Sequence, residues 1–158
     1  MVVTARDIMD TDFRTVHPDT TIAEAVTAFK EASAIRRQKV FGLVVTDEGD
    51  KLVGMLSLYD IMLLLRPKNI HIWGEMNDIF VAGFIEEACQ RTRSIRVGDV
   101  MTTDVITISP GTHLLMIVDI MIKRQIRRLP VVEEGKVIGI VYTSTIFYEL
   151  MEKLAVCN

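Results

Sequence analysis

Runs of bulky apolar residues alternate with helically spaced apolar residues along the first 65 residues of the chain. The runs are short and end at turn-forming residues, which is typical of strands. The spaced residues recur at three- and four-residue intervals, which places them on one face of a helix. The pattern predicts a β-α-β-β-α unit, with strands at 13–16, 41–46 and 51–56 and helices from Thr21 and over 58–65. The side chains expected on the buried face of its first helix are Ile22, Ala25, Val26 and Phe29.

Local sequence signals mark where these elements begin and end. Pro18 fixes its own φ and pushes His17 to an extended conformation, so the first strand ends there. Thr21 and Glu24 have the spacing of a capping box at the start of the first helix. Residues 47–50 (Asp-Glu-Gly-Asp) predict the hairpin loop between the second and third strands.

The same motifs return in the second half of the chain, which indicates an internal duplication. The matching segments are 7–12 with 99–104, 15–18 with 107–110, and 52–54 with 137–139. The offset is 92 for the first two pairs and 85 for the third, so the first copy carries seven extra residues. We place these extra residues at 30–40, after the first helix.

The second copy predicts the same succession of elements. Its strands are expected at 105–108, 130–132 and 137–142, with a turn at 133–136 and a last helix from Thr143 to about Leu154. Leu114, Val118, Met121 and Ile122 are expected on the buried face of its first helix. Because neither copy is long enough to bury a sufficiently large hydrophobic core alone, we expect the two copies to pack face to face.

The duplication predicts an α+β fold in which two β-α-β-β-α repeats form one pseudo-two-fold module. The predicted divisions are repeat 1 at 1–65, an inserted linker helix at 66–93, and repeat 2 at 94–158. The residues expected on the apolar face of the inserted helix are Val81, Phe84, Ile85, Ala88 and Cys89. That helix either covers the core or contacts another protein, for which Ile72 and Trp73 are candidate anchors. The sequence leaves the role of the insert at 72–92 open.

Composition narrows the class of protein. Apolar residues make up 49% of the 158 residues and the net charge is −3, which is typical of a globular chain and does not favour nucleic acid as a partner. Two cysteines outside any C-x-x-C pair, with neither a signal peptide nor a membrane-spanning run apparent, predict a cytoplasmic protein. The histidines show no metal-ligand spacing, and no catalytic motif is apparent. We therefore expect neither a metal site nor an enzyme.

One stretch, residues 53–60, has two interpretations. It reads as the end of a strand, then Ser57, then the first helical turn with Asp60. The two residues have capping-box spacing, so Asp60 would bond back to the helix start. Alternatively, the Asp60 carboxylate accepts hydrogen bonds from a bound diol. The two roles do not exclude each other.

Several motifs together resemble a tandem pair of cystathionine-β-synthase (CBS) domains. They are the duplicated Asp-h-Met (h, apolar), the Thr-h-x-Pro corner, Arg-Arg-Leu-Pro-Val-Val at 127–132 and Gly-h-h-Ser-x-x-Asp at 54–60. The resemblance covers all of the chain except the insert and the extreme C-terminus. It implies a homodimeric module that regulates an effector protein, which is either a separate chain or a missing part of a longer one. It also implies an adenosyl ligand, such as AMP, ADP, ATP or S-adenosylmethionine, in a cleft between repeats.

The resemblance assigns a role to individual residues of one cleft. Asp60 would hold the ribose hydroxyls, with Ser57 near the ribose and phosphate and Met55 lining the base pocket. Val105 and Ile106 would contact adenine, and Arg127 and Arg128 would face the phosphate. The residue types suit these roles, because a carboxylate accepts from vicinal hydroxyls and a guanidinium meets a phosphate bidentately.

The other cleft departs from the family pattern. Tyr142 stands where Ser57 stands in the first repeat, and Thr145 stands where Asp60 stands. The first repeat reads Val-Phe-Gly-Leu at 40–43 in place of Arg-Arg-Leu-Pro, so only Lys39, or Arg36 and Arg37, would supply charge. We expect this cleft to be empty, weak or differently used.

Two functions remain in competition at the level of sequence. The first is a regulatory, ligand-sensing module with one adenosyl nucleotide site per chain, which signals to a partner protein. The alternative is a ligand-free dimerisation or scaffold module. The sequence does not choose among the adenosyl ligands, and it does not identify the regulated partner.

Overall fold

The computed structural model describes residues 2–66 and 78–157, with side chains of the second range from residue 83 onward. Seven helices and five strands lie in these ranges, which confirms the α+β class. The helices are α1 (Ala5–Ile8), α2 (Ile22–Arg36), α3 (Leu58–Leu65), α4 (Asp78–Thr92), α5 (Val97–Val100), α6 (Leu114–Arg124) and α7 (Thr143–Leu154). The strands are β1 (Thr15–Val16), β2 (Gly42–Thr46), β3 (Leu52–Ser57), β4 (Arg128–Glu133) and β5 (Lys136–Tyr142).

The chain divides into two compact units, each with its own hydrophobic core. The central unit consists of residues 14–48 and 53–103, and the C-terminal unit of residues 1–13, 49–52 and 104–158. Each repeat's opening segment therefore belongs to the unit that contains the hairpin of the other repeat. The predicted sequence divisions at 1–65, 66–93 and 94–158 follow the duplication instead, and they stay a prediction.

The central unit is built on a three-stranded sheet in the order β1-β2-β3. β1 runs parallel to β2, with Thr15 opposite Val44, and every residue of β2 is buried. Helix α2 begins with the predicted capping box, because Thr21 accepts from the Glu24 amide and Glu24 bonds back. Burying a side chain such as Leu43 contributes about 1.5–3 kcal/mol. The buried core consists of Val16, Ala25, Phe29, Ala32, Val40, Leu43, Val45, Leu56, Ile61 and Val97.

The C-terminal unit is built on the antiparallel hairpin of β4 and β5. Its turn has positive φ at Glu134 (54°) and at Gly135 (81°), the backbone of a tight two-residue hairpin. A register shift between Val131 and Val132 interrupts the ladder. The buried core consists of Val3, Ala5, Ile8, Ile108, Leu114, Ile117, Met121, Leu129, Val131, Val141 and Ile146.

Two short helices, α1 and α5, carry the duplicated Asp-h-Met motif, and the apolar pattern did not predict either of them. In each helix the Asp is a cap: Asp7 accepts from the Thr4 amide at 2.8 Å, and Asp99 accepts from the Arg96 amide at 2.9 Å. Four residues are too few to show helical periodicity, so only the capping pairs could have revealed these helices.

The methionine of each motif packs on a glycine of a return strand. In the central unit Met101 lies against Gly54, and the neighbouring Thr102 exchanges two 2.9 Å backbone hydrogen bonds with Met55. In the C-terminal unit Met9 lies against Gly139 in the same way. The glycines are thus explained by close approach of another segment.

The seven extra residues of the first copy are spread over three places rather than gathered after its first helix. Helix α2 has 15 residues and α6 has 11, so four of them lengthen the helix by about one turn. The offset falls from 92 at the helix starts to 88 at the helix C-caps, Arg37 and Gln125, which both have left-handed φ. Two more extra residues lie between Arg37 and Phe41, where the offset falls to 86, and the last one lies in the hairpin. The placement at 30–40 is therefore only partly right.

Three other predictions are wrong in detail. Residues 105–108 form no strand, because Ile108 alone bridges to Val131. Val26 is 38% exposed and Ile122 is 70% exposed. The buried face of α2 includes Ala32 instead of Val26, and the buried face of α6 includes Ile117 instead of Ile122. On α4, Ala88 is buried but Ile85 and Cys89 are exposed. The predicted anchors Ile72 and Trp73, and the side chain of Val81, lie outside the described residues.

Replacing Gly54 by Ala is expected to lower the free energy of unfolding by about 1–3 kcal/mol. A Cβ there would lie 2.8 Å from the Thr102 carbonyl oxygen, and this backbone atom cannot turn aside as a side chain can. Chemical denaturation measures the change. Gly83 is the control, because a Cβ added there would meet no atom of another described residue within 4 Å, and Gly83→Ala in helix α4 should be neutral or stabilising. Equal behaviour of the two variants would contradict the close approach.

Candidate functional site

The acidic junction, Ser57 with Asp60, links strand β3 to helix α3 in the central unit. Ser57 ends the strand and is the N-cap of the helix, and its hydroxyl accepts from the Asp60 amide at 3.1 Å. The Asp60 carboxylate returns the bond, with Oδ2 accepting from the Ser57 amide at 2.8 Å. The capping-box interpretation of this stretch is therefore right, and it fixes the position of the carboxylate.

Capping leaves part of the Asp60 carboxylate available. Among the described residues, no hydrogen bond reaches its other oxygen, Oδ1. A carboxylate has about four lone-pair positions, so the cap uses only one of them. The side chain is half-buried, which lowers the local dielectric and strengthens any bond it accepts. Asp60 is thus held rigidly with an acceptor oxygen to spare.

Met55 precedes the acidic junction on β3 and is fixed by its backbone. Its amide and carbonyl both pair with Thr102, so only the side chain remains for contacts. That side chain is half-buried. The lining role that the resemblance implies for Met55 stays a prediction.

The arginine pair, Arg127 and Arg128, lies where β4 begins in the C-terminal unit. Arg127 is exposed and Arg128 is half-buried. Arg128 stands opposite Tyr142 in the β4–β5 ladder. Within residues 2–66 and 78–157, neither guanidinium forms an ion pair with a carboxylate.

Arg128 carries its charge in an unfavourable place. Burial lowers the pKa of its guanidinium, Tyr142 opposes this shift, and the neighbouring Arg127 adds to it. An arginine nevertheless stays protonated in proteins, so the charge remains and its cost is not relieved by proton loss. Such a group favours an incoming anion, because a charge-assisted bond recovers part of the lost solvation.

Val105 and Ile106 approach the core of the C-terminal unit without joining a strand. Both are half-buried, and Ile106 packs against the core. In the described part of the chain, no hydrogen bond engages their backbone groups. An amide and a carbonyl at this spacing can read the edge of a purine base, which is the contact predicted for them.

The corresponding junction of the second repeat has the same backbone but different chemistry. The Thr143 amide donates to the Arg127 carbonyl, as the Leu58 amide donates to the Phe41 carbonyl. Phe41 therefore corresponds to Arg127. The alignment of 40–43 with Arg-Arg-Leu-Pro had paired Val40 with Arg127, so it was wrong by one residue. Helix α7 has Tyr142 as its N-cap, without a side-chain cap.

The structure groups the predicted site residues by unit. Met55, Ser57 and Asp60 lie together in the central unit. The other four, Val105, Ile106, Arg127 and Arg128, lie in the C-terminal unit. Sequence reasoning missed Thr143, whose hydroxyl bonds to the Arg127 carbonyl, since nothing in the sequence distinguishes that hydroxyl from a solvated one.

Among the described residues, no group of three or more His, Cys, Asp and Glu side chains is placed to hold a metal ion. No helix in the described ranges is both long and apolar enough to cross a membrane.

Comparison with known proteins identifies the family. A family model for the CBS domain matches residues 5–67 and 97–152. The Arabidopsis thaliana protein CBSX1, described as chloroplastic, is 29% identical over 82% of this chain and 56% of its own length. CBSX2, also described as chloroplastic and from Arabidopsis thaliana, is 30% identical over 79% of this chain and 53% of its own length. The chain thus spans about half the length of these two relatives.

Solved structures agree with this assignment. The crystal structure of CBSX2 in complex with AMP superposes on this chain with a TM-score of 0.66 and 26% sequence identity. The match covers 98% of this chain and 99% of the CBSX2 chain. The chain belongs to the CBS domain family and carries two copies of the domain, as its motifs predicted.

Proposed function

We propose that this chain is a regulatory module that binds an adenosyl nucleotide of the AMP, ADP or ATP type and signals its presence to a partner protein. The observation that carries the proposal is the half-buried Arg128, which has a second cation beside it and no carboxylate partner in the described residues. Such a pair is suited to a phosphate. The complex of its relative CBSX2 with AMP supports the same ligand class.

The site residues divide the ligand between them. Asp60 accepts from the ribose hydroxyls through its spare lone pairs, and Ser57 fixes that carboxylate through the cap. The arginine pair binds the phosphate. The remaining three, Met55, Val105 and Ile106, contact the base. None of these residues performs chemistry on the ligand, and the role we propose is sensing rather than catalysis.

We further propose one such site per chain. The second set of junction residues has Thr145 in place of the carboxylate, and Phe41 in place of the first arginine. A threonine hydroxyl is a weaker partner for a diol than a carboxylate, because bonds to an ionised acceptor are about twice as strong. Tyr142 adds bulk where Ser57 is small.

A ligand-free scaffold is the second candidate, and one observation favours it. Helices α3 and α7 each expose large apolar side chains: Tyr59 and Met62 on α3, and Phe147, Tyr148 and Leu154 on α7. Exposed apolar surface of this kind marks a protein contact. We propose that a second copy of the chain covers these faces in a cytoplasmic homodimer, with or without ligand.

Thermal unfolding with AMP, ADP, ATP and S-adenosylmethionine separates the two candidates. A ligand at a hundred times its Kd should stabilise the folded protein by about 2.7 kcal/mol, because it binds the native state alone. We expect this shift with at least one of the three nucleotides, and a smaller shift with adenosine, which lacks the phosphate. No shift with any of them would contradict the sensing role and favour the scaffold.

A further inference from the structure

Arg127 lies in a connection between two elements, where no ladder fixes its backbone. Helix α6 ends at Arg124, its C-cap Gln125 has left-handed φ (54°), and strand β4 begins at Arg128. The conformation of Arg127 must therefore be held by contacts from elsewhere in the C-terminal unit.

Thr143 holds Arg127 through two hydrogen bonds to its backbone carbonyl. Its amide and its hydroxyl both donate to the Arg127 carbonyl oxygen, each at 2.9 Å. A carbonyl oxygen has two lone pairs, so this pair of bonds occupies both and fixes the direction of the carbonyl as well as its position. The hydroxyl also lies 3.6 Å from the Met121 sulfur, which is at the edge of the buried core.

The equivalent connection in the central unit has only half of this arrangement. There the Leu58 amide donates to the Phe41 carbonyl at 2.8 Å, and leucine has no hydroxyl to add a second bond. The doubled bond thus occurs at the connection that carries arginine rather than at the one that carries phenylalanine. Backbone geometry alone does not require the hydroxyl, since the single bond is sufficient to form the turn in the central unit.

We propose that Thr143 is a positioning residue for phosphate recognition, which holds the arginine pair in place through the Arg127 carbonyl. This inference rests on the proposed function and deepens it, because it assigns phosphate specificity to a residue that would not touch the ligand. Preorganised cations bind an anion more tightly than mobile ones, since less side-chain and backbone freedom is lost on binding.

The test compares AMP with adenosine as probes, using isothermal calorimetry on the full chain. Thr143→Val removes the hydroxyl but keeps the shape, and it should weaken AMP binding about threefold to tenfold, the effect of one neutral hydrogen bond. Adenosine binding should not change, because adenosine has no phosphate for the arginine pair to bind. Thr143→Ser restores the hydroxyl and should restore the affinity for AMP.

Thr27→Val is the matched control. The Thr27 hydroxyl is also exposed and also donates to a backbone carbonyl, that of Ala23 at 3.4 Å, but it belongs to helix α2 of the central unit, whereas the arginine pair belongs to the C-terminal unit. This variant should bind both probes as the unchanged protein does.

The outcomes separate the two proposals. If the unchanged protein binds none of AMP, ADP and ATP better than adenosine, phosphate recognition fails and the proposed function fails with it. If the unchanged protein prefers AMP and Thr143→Val keeps that preference, only the positioning role of Thr143 is overturned. Equal weakening of AMP and adenosine would also overturn it, since this would indicate a general structural defect.

Discussion

Replacing Asp60 by Ala is expected to weaken AMP binding about tenfold to a hundredfold. The estimate follows from the loss of about 1.5–3 kcal/mol for a hydrogen bond to a charged group. Two effects combine, because the ribose hydroxyls lose their carboxylate and the cap that orients the junction is lost as well. Calorimetric titration of AMP measures the change, and denaturation of the same variant measures the cost of the lost cap.

Asp99→Ala is the control that separates capping from binding. The Asp99 carboxylate caps helix α5 by accepting from the Arg96 amide at 2.9 Å, as the Asp60 carboxylate does for helix α3, and it has no proposed part in the site. Both variants should lose about 1 kcal/mol of stability. Only Asp60→Ala should lose affinity for AMP. An unchanged affinity in that variant would show that the Asp60 carboxylate does not bind the ligand.

Replacing Arg128 by Gln is expected to change stability and affinity in opposite directions. Burial lowers the pKa of Arg128, so its charged form is less stable in the folded protein than in the unfolded chain. A guanidinium stays protonated throughout the working pH range, so this penalty applies at every pH in that range. A neutral, shorter polar side chain removes the penalty, and the free protein should unfold at a higher denaturant concentration.

The same substitution should weaken AMP binding about tenfold or more, because a charge-assisted bond to the phosphate is lost. Arg124→Gln is the control, since Arg124 is exposed in the last turn of α6 and has no proposed contact with the ligand. A variant at Arg128 that is less stable than the unchanged protein, and that binds AMP normally, would show that Arg128 is a structural residue.

The local elements could be predicted closely where side chains and backbone give the same signal. Helix α3 begins at Leu58 because Ser57 and Asp60 form a capping box, and it ends at Leu65, as predicted from the sequence. Helix α7 was also predicted over its observed range, Thr143–Leu154. Strand β4 was predicted too short, because Arg128 and Leu129 precede the proline from which the strand was thought to start.

Long-range features could not be predicted, because they depend on contacts that local pattern does not encode. The opening segment of each repeat joins the unit that contains the other repeat's hairpin, and the contacts of Met9 with Gly139 and of Met101 with Gly54 fix this arrangement. The one-residue error at Phe41 has the same origin. Only the backbone bond to Leu58 shows which residue corresponds to Arg127.

The candidate site was predicted by residue type and remains a prediction for binding. The sequence suggested that Asp60 was either a cap or a ligand residue, and the structure shows the cap together with an unused oxygen. The sequence placed an arginine pair beside a strand. The structure adds that Arg128 is half-buried and that the Thr143 hydroxyl donates to the Arg127 carbonyl. These additions are three-dimensional, and no spacing along the chain contains them.

The measurement that tests the central claim most directly is a calorimetric titration of the full chain with AMP, analysed for stoichiometry. We predict one molecule of AMP per chain, bound more tightly than adenosine, because only one set of residues combines a carboxylate with an arginine pair. Two equivalent molecules per chain would contradict the asymmetry between Asp60 and Thr145, and no heat of binding with AMP, ADP or ATP at any accessible concentration would contradict the proposed function itself.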